Sequence, residues 1–221
     1  MTGVQTCALP IFYFNIPESD SGYSEPLGVW FINLTIVLPM LEDPNGVVID
    51  GSTQLGSHAY LPGIIIDASA LTAGTEIFTI ISDSNEITHL GLMSSKGNSI
   101  EVDSDANYNV ISENQIFNSE GHGIFLHAGD DYSSIIDNRI CGHKGDGIHI
   151  EESTNAFISG NVVGIQPLYM PSVLNNEGNG ISCLACTNST IQDNTISGNL
   201  GNGVYFSDSD NNLLEDNRIG L

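Results

Sequence analysis

The 221-residue chain is 40% hydrophobic and carries 27 acidic residues against four basic ones, a formal net charge of −23. A surface this poor in cations cannot release counterions from phosphate, which excludes nucleic-acid binding, and anionic membranes repel it for the same reason. No apolar run reaches the roughly 18 residues of a membrane span, and the regular recurrence of Ile, Val and Leu sets the chain apart from disordered polymers.

Taken in chain order, residues 1–11 (Met1-Thr2-Gly3-Val4-Gln5-Thr6-Cys7-Ala8-Leu9-Pro10-Ile11) resemble the conceptual translation of a sequencing adapter and are set aside as a scar would be. The natural N-terminus and any signal peptide are then expected to lie outside this sequence. Residues 12–86 read as a β-rich N-terminal capping region, in which the apolar stretch from Gly28 to Met40 is strands interrupted by proline.

From residue 87 to 221 the chain repeats. Asn114, Asn138, Asn161, Asn194 and Asn217 are spaced by 24, 23, 33 and 23 residues. Each has an aliphatic residue three places before it (Ile111, Ile135, Ile158, Ile191, Leu214) and another two places after it (Ile116, Ile140, Val163, Ile196, Ile219). Then comes Gly-x-Gly-(Ile/Val), at Gly121, Gly145, Gly178 and Gly201, with a fainter copy at Gly97-Asn98-Ser99-Ile100. The apolar residues that follow alternate with a period of two, as strands do: Ile124/Leu126, Ile148/Ile150, Ile181/Cys183 and Val204/Phe206. Short strands and turns in units of about 23 residues are the coils of a β-solenoid, each of which buries its apolar side only against its neighbours.

The Asn column is expected at an inward bend, because Asn tolerates the left-handed backbone region, with its amides hydrogen-bonded into a ladder along the axis. Asn155, Asn188 and Asn211 mark another corner. The 33-residue spacing implies an outward loop at 164–177, rich in proline and without periodicity. With Cys7 set aside, Cys141, Cys183 and Cys186 do not make a disulfide framework. The single C-x-x-C reads as a buried thiol and a turn thiol.

The repeat Asn-x-Ile followed by Gly-x-Gly-Ile resembles that of bacterial right-handed parallel β-helix proteins. So do Phe12-Tyr13-Phe14-Asn15-Ile16-Pro17 and Val47-Val48-Ile49-Asp50-Gly51-Ser52-Thr53-Gln54 near the start. The resemblance spans residues 12–221. It implies an all-β, right-handed parallel β-helix, an extracellular or cell-surface location, and further coils or domains of the same chain beyond both ends. The family fold hosts polysaccharide lyases, hydrolases and epimerases as well as domains without catalysis, so the site has to decide.

In the strand after each Gly-x-Gly, residues between the buried ones face outward. Three rows result: His122, Asp146, Asn179, Asn202; Phe125, His149, Ser182, Tyr205; and His127, Glu151, Leu184, Ser207. With coils roughly 4.8 Å apart, His127, His149 and Glu151 are the candidates for acid–base chemistry on a sugar. His122, Phe125, Asp146 and Tyr205 are the candidates for ligand binding. Gly121-His122-Gly123 and Asp130-Asp131 are similar to pieces of a polygalacturonase signature, but in reversed order and without its other members. Calcium is the metal that the turn carboxylates Asp103/Asp105, Asp130/Asp131 and Asp208/Asp210 would take; no metal site is assigned. The sequence reading is thus a non-catalytic segment that binds a polysaccharide or surface glycan or mediates adhesion. A polysaccharide-active enzyme using the His122–Glu151 face is the alternative, and a structural spacer the third.

Overall fold

The computed structural model describes residues 10–54, 61–165 and 175–220. Residues 1–9 with Cys7, and the middle of the expected outward loop, 166–174, lie outside them. Apart from one short 3-10 turn at Gly51–Thr53, the described residues form strands and turns only.

The strands form three sheets, two that begin near the N-terminal end and a third that begins at Phe78–Ile80. The chain visits them in turn, so that Val110–Ser112, Gln115–Phe117 and Ile124–Leu126 belong to one coil and Ser134–Ile136, Arg139–Cys141 and Ile148–Glu151 to the next. Among the described residues every pairing between coils is parallel, and the one antiparallel pair, Tyr23–Ser24 with Val29–Asn33, lies near the N-terminal end. The stack therefore is a parallel β-helix. Val29–Asn33 and Ile64–Asp67 already share the second sheet with the later coils.

The register turns the sequence columns into packed columns. Ile87, Ile111, Ile135, Ile158 and Ile191 align in the first sheet, and Leu92, Ile116, Ile140, Val163 and Ile196 in the second. The third contributes two inward columns, from Ile100/Val102 through Ile124/Leu126 to Ile148/Ile150. All are essentially without solvent exposure. Each buried aliphatic side chain is worth about 1.5–3 kcal/mol against exposure, and no coil can bury its own without the next. The second glycine of Gly-x-Gly is where the third sheet begins close to the second: a Cβ on Gly123 would lie 2.5 Å from the Gly147 carbonyl oxygen and 2.6 Å from Ile140 Cγ2.

The Asn column is a hydrogen-bonded ladder between the first two sheets. Asn114 Nδ2 donates to Asn138 Oδ1 (3.1 Å), Asn138 to Asn161 (3.1 Å), Asn161 to Asn194 (3.0 Å) and Asn194 to Asn217 (2.9 Å). Each Oδ1 also accepts the backbone N–H of the preceding rung, and each Nδ2 reaches a carbonyl of that preceding coil, as Asn138 does to Ile111 (2.7 Å). The expectation about backbone shape is corrected by one residue. The left-handed residue is the one before each Asn: Glu113, Asp137, Gly160, Asp193 and Asp216, and His89 holds the same place before Leu90 one coil earlier. The bend is made there, which leaves the Asn backbone extended enough to bond on both sides. At the other corner Asn155, Asn188 and Asn211 do take positive φ, continued backwards by Tyr132 and Tyr108.

The extra residues between Asn161 and Asn194 do not disturb the stacking. Rungs 33 residues apart still meet at 2.9 Å, and Ile148 still pairs with Ile181. Cys183 and Cys186 are both free, and both are fully buried, so the turn thiol is no more exposed than the strand one.

Candidate functional site

The third sheet places its outward residues in register. Thr79, Glu101, Phe125, His149, Ser182 and Tyr205 form one continuous row across six strands, in which Ser182 is buried. Sequence reasoning found the last four and missed Glu101, whose coil carries only the weak Gly97-Asn98-Ser99 signature.

Alongside that row runs a second ladder, made from the middle residues of Gly-x-Gly. The His122 backbone N–H donates to Asn98 Oδ1 (2.7 Å), that of Asp146 to His122 Nδ1 (2.9 Å), that of Asn179 to Asp146 Oδ1 (2.6 Å) and that of Asn202 to Asn179 Oδ1 (2.8 Å). Glu76 begins it by accepting from the Asn98 backbone. The ladder corrects the reading of His122 and Asp146 as freely outward groups. Asp146 is only 7% exposed, and both serve as rungs.

Being a rung fixes a protonation state. A backbone N–H can only donate, so His122 Nδ1 must hold a lone pair and the neutral ring carries its proton on Nε2. Burial, and then the charge of the neighbouring His149, hold the His122 pKa below the ordinary value. Burial pushes Asp146 up, but hydrogen bonds from His149, the Asn179 backbone and Ser182 outweigh it and hold the carboxyl down at about 2. Its second oxygen accepts from His149 Nδ1 at 2.7 Å. The other nitrogen, His149 Nε2, lies 3.1 Å from Glu151 Oε1. Burial acts to lower the His149 pKa, yet the two carboxylates prevail and raise it. Asp146, His149 and Glu151 are thus a hydrogen-bonded chain running from a buried rung to a carboxylate whose side chain is 41% exposed.

His127 is not part of that chain. Its ring stacks on Phe125 with centroids 3.9 Å apart, and its Nε2 pairs with Glu101 Oε1 at 3.1 Å. Phe125 stands between it and His149, whose ring it meets edge-on at 5.0 Å. The three acid–base candidates therefore divide into His149–Glu151 on one side of Phe125 and His127–Glu101 on the other. Phe125 is covered by His127 rather than open as a platform, whereas Tyr205 is 42% exposed.

Three potential metal donors, one each from His122, Asp146 and His149, lie within 4.8 Å of one another. They do not fit an ion well. His122 Nδ1 and Asp146 Oδ1 already accept backbone N–H groups, and His149 Nδ1 already donates to Asp146. Among the described residues, the turn carboxylates gather no comparable donor set. Asp130 is fully buried and bonded to Ser133, and Asp131 Oδ1 accepts from the Thr154 backbone, so that pair is not an open, solvated turn. An apolar cleft of about 490 Å³ lined by Phe12, Phe14, Leu38 and Phe78, among others, lies near the N-terminal end and has only Glu42 and Asp43 as charged groups.

The family model described as "Right handed beta helix region" matches residues 42–220. The chain belongs to that family. No curated protein matches this right-handed β-helix. Among solved structures it is similar to a double mutant of the periplasmic alginate epimerase AlgG, with a TM-score of 0.50 and 15% identity over 80% of this chain and 46% of that one. It is also similar to a mutant of DFA-IIIase from Arthrobacter chlorophenolicus A6 in complex with DFA-III, with a TM-score of 0.55 and 18% identity over 78% of this chain and 38% of the other. A further DFA-IIIase structure from that organism, in complex with GF2, gives 0.53 and 18% over 80% and 41%. The β-helix described here spans less than half the length of each.

Proposed function

We propose that the outer face of the third sheet is a saccharide-binding face, and that the protein works in an extracellular or cell-surface setting with a polysaccharide or surface glycan as partner. The observation that carries this reading is the row Glu101, Phe125, His149 and Tyr205, held in register on a parallel sheet with the buried Ser182 between the last two. The carboxylates and imidazoles of that face can hydrogen-bond sugar hydroxyls, and Tyr205 offers an apolar ring beside them. The fold is shared with an alginate epimerase and a DFA-IIIase, at identities that speak for the fold alone.

The face also favours one saccharide class. Glu101, Asp146 and Glu151 border it, while Lys96 and Lys144 are both engaged by Glu120, at 3.3 and 3.4 Å. A uronate would meet carboxylates without a free Lys or Arg, so neutral glycans are the better partners. Calorimetric titration with neutral and uronic-acid oligosaccharides tests this. Binding of a neutral glycan, weakened at least tenfold by Tyr205→Ala and by His149→Ala, is the expected result. Undiminished binding in both variants removes the third sheet as the site, and a blank screen against every glycan leaves the structural spacer.

A further inference from the structure

We infer that Asp146, His149 and Glu151 form a proton relay that protonates a glycosidic oxygen, with Glu151 as the catalytic residue and the other two as positioning residues. The inference rests on the saccharide reading of the same face and goes beyond it, from binding to turnover.

The geometry assigns the roles. Asp146 is locked as an acceptor by the Asn179 backbone at 2.6 Å, so its free oxygen takes the Nδ1 proton of His149 at 2.7 Å. With Nδ1 committed as a donor, His149 has Nε2 left for exchange, and Nε2 faces Glu151 Oε1 at 3.1 Å. One proton serves that last contact, on the imidazole at rest and on the carboxyl when an acid is needed. The His149 side chain is 12% exposed and that of Glu151 41%, so Glu151 is the end that a sugar reaches. His122 is excluded as the donor at Nδ1, which accepts the Asp146 N–H at 2.9 Å.

The step balances as a hydrolysis. Glu151 passes the proton to the glycosidic oxygen as the bond from that oxygen to the anomeric carbon breaks. Water supplies hydroxide to the anomeric carbon, and its remaining proton returns to His149 Nε2. Nothing is oxidised or reduced. Among the described residues, Glu76, Glu101, His122, His127 and Tyr205 are the other titratable groups on this face, the buried Cys186 lies close enough to interact with His149, and Glu101 contacts His127, Asn98 and Glu76.

The test uses the whole chain with neutral oligosaccharides and, separately, polyuronates, read as new reducing ends and by product chromatography. Hydrolysis of a neutral saccharide is expected, with Glu151→Gln lowering kcat by about 100-fold or more at a nearly unchanged KM. Asp146→Asn, which keeps a rung acceptor, should move the pH limb set by His149 to lower pH, a change that a merely structural role would not produce. The thermal midpoint of each variant checks the fold. Neutral-glycan binding without turnover overturns the relay and leaves the binding face standing; loss of both overturns the two together. Wild-type turnover in Glu151→Gln, or cleavage confined to polyuronates, also overturns the relay.

Discussion

Two ladders run side by side through this solenoid, and they differ in what their rungs are made of. Between the first and second sheets the rungs are Asn114 to Asn217, all amides and nearly all buried. At the start of the third sheet the same position is held in turn by Glu76, Asn98, His122, Asp146, Asn179 and Asn202. The second ladder shows that a rung needs only an acceptor for the next coil's N–H. Asn supplies one with no dependence on pH. His supplies one only while that ring nitrogen is unprotonated, and both His and Asp leave a second polar atom free to hold a neighbour, as Asp146 holds His149.

The sharpest break in this pattern is at Asp130, in a turn where the residue one coil earlier is Ala106. Its Oδ1 accepts from Ser133, but its Oδ2 is buried with no partner. Burial pushes the carboxyl from 3.8 up to about 8, with the Ser133 hydrogen bond pulling the other way and the charges of Asp131 and Asp83 adding to the rise. The folded chain then keeps a proton that the unfolded chain gives up, so this group's contribution falls as pH rises from about 4 to about 8. Asp130→Asn should remove that slope and be more stable than wild type at pH 9 by an amount on the order of several kcal/mol. Parallel denaturation curves at all pH values would show that Asp130 is solvated.

Breaking the amide ladder is the next largest effect. Asn138→Ala leaves donors and acceptors of three coils unpaired and should cost about 1–3 kcal/mol; an unshifted denaturant midpoint would remove Asn138 from a buried network. The mixed ladder yields a smaller and more discriminating contrast. His122→Asn keeps an acceptor for the Asp146 N–H, whereas His122→Ala does not, so the two should differ by roughly 1 kcal/mol. Equal midpoints would mean that the 2.9 Å contact contributes nothing.

Much of this was legible in the sequence. Repetition exposes the aliphatic columns, because Ile or Val must recur wherever a coil meets the core. It exposes the Asn column, because there one residue type fills every rung. The ladder of the third sheet was hidden for the opposite reason: its rungs change identity, and His122 and Asp146 look like solvent-facing residues until a backbone N–H is seen pointing at each. Glu101 was missed because its coil has lost the second glycine. His127 was grouped with His149 and Glu151 because alternation gives the face of a side chain but not its rotamer, and the Phe125 ring separates them. Asp130 looked like an ordinary acidic turn, since nothing local announces that the corner closes over it.

The ten or so extra residues ahead of Asn194 carry one more lesson. Position on this molecule is counted in contacts, not in residues: His149 faces Ser182 across a gap of 33 positions as directly as Phe125 faces His149 across 24. An insertion at that corner leaves every address on the far face unchanged. A gene of this kind can acquire new surface at its bends, whole loops at a time, without re-indexing the rows that meet a ligand.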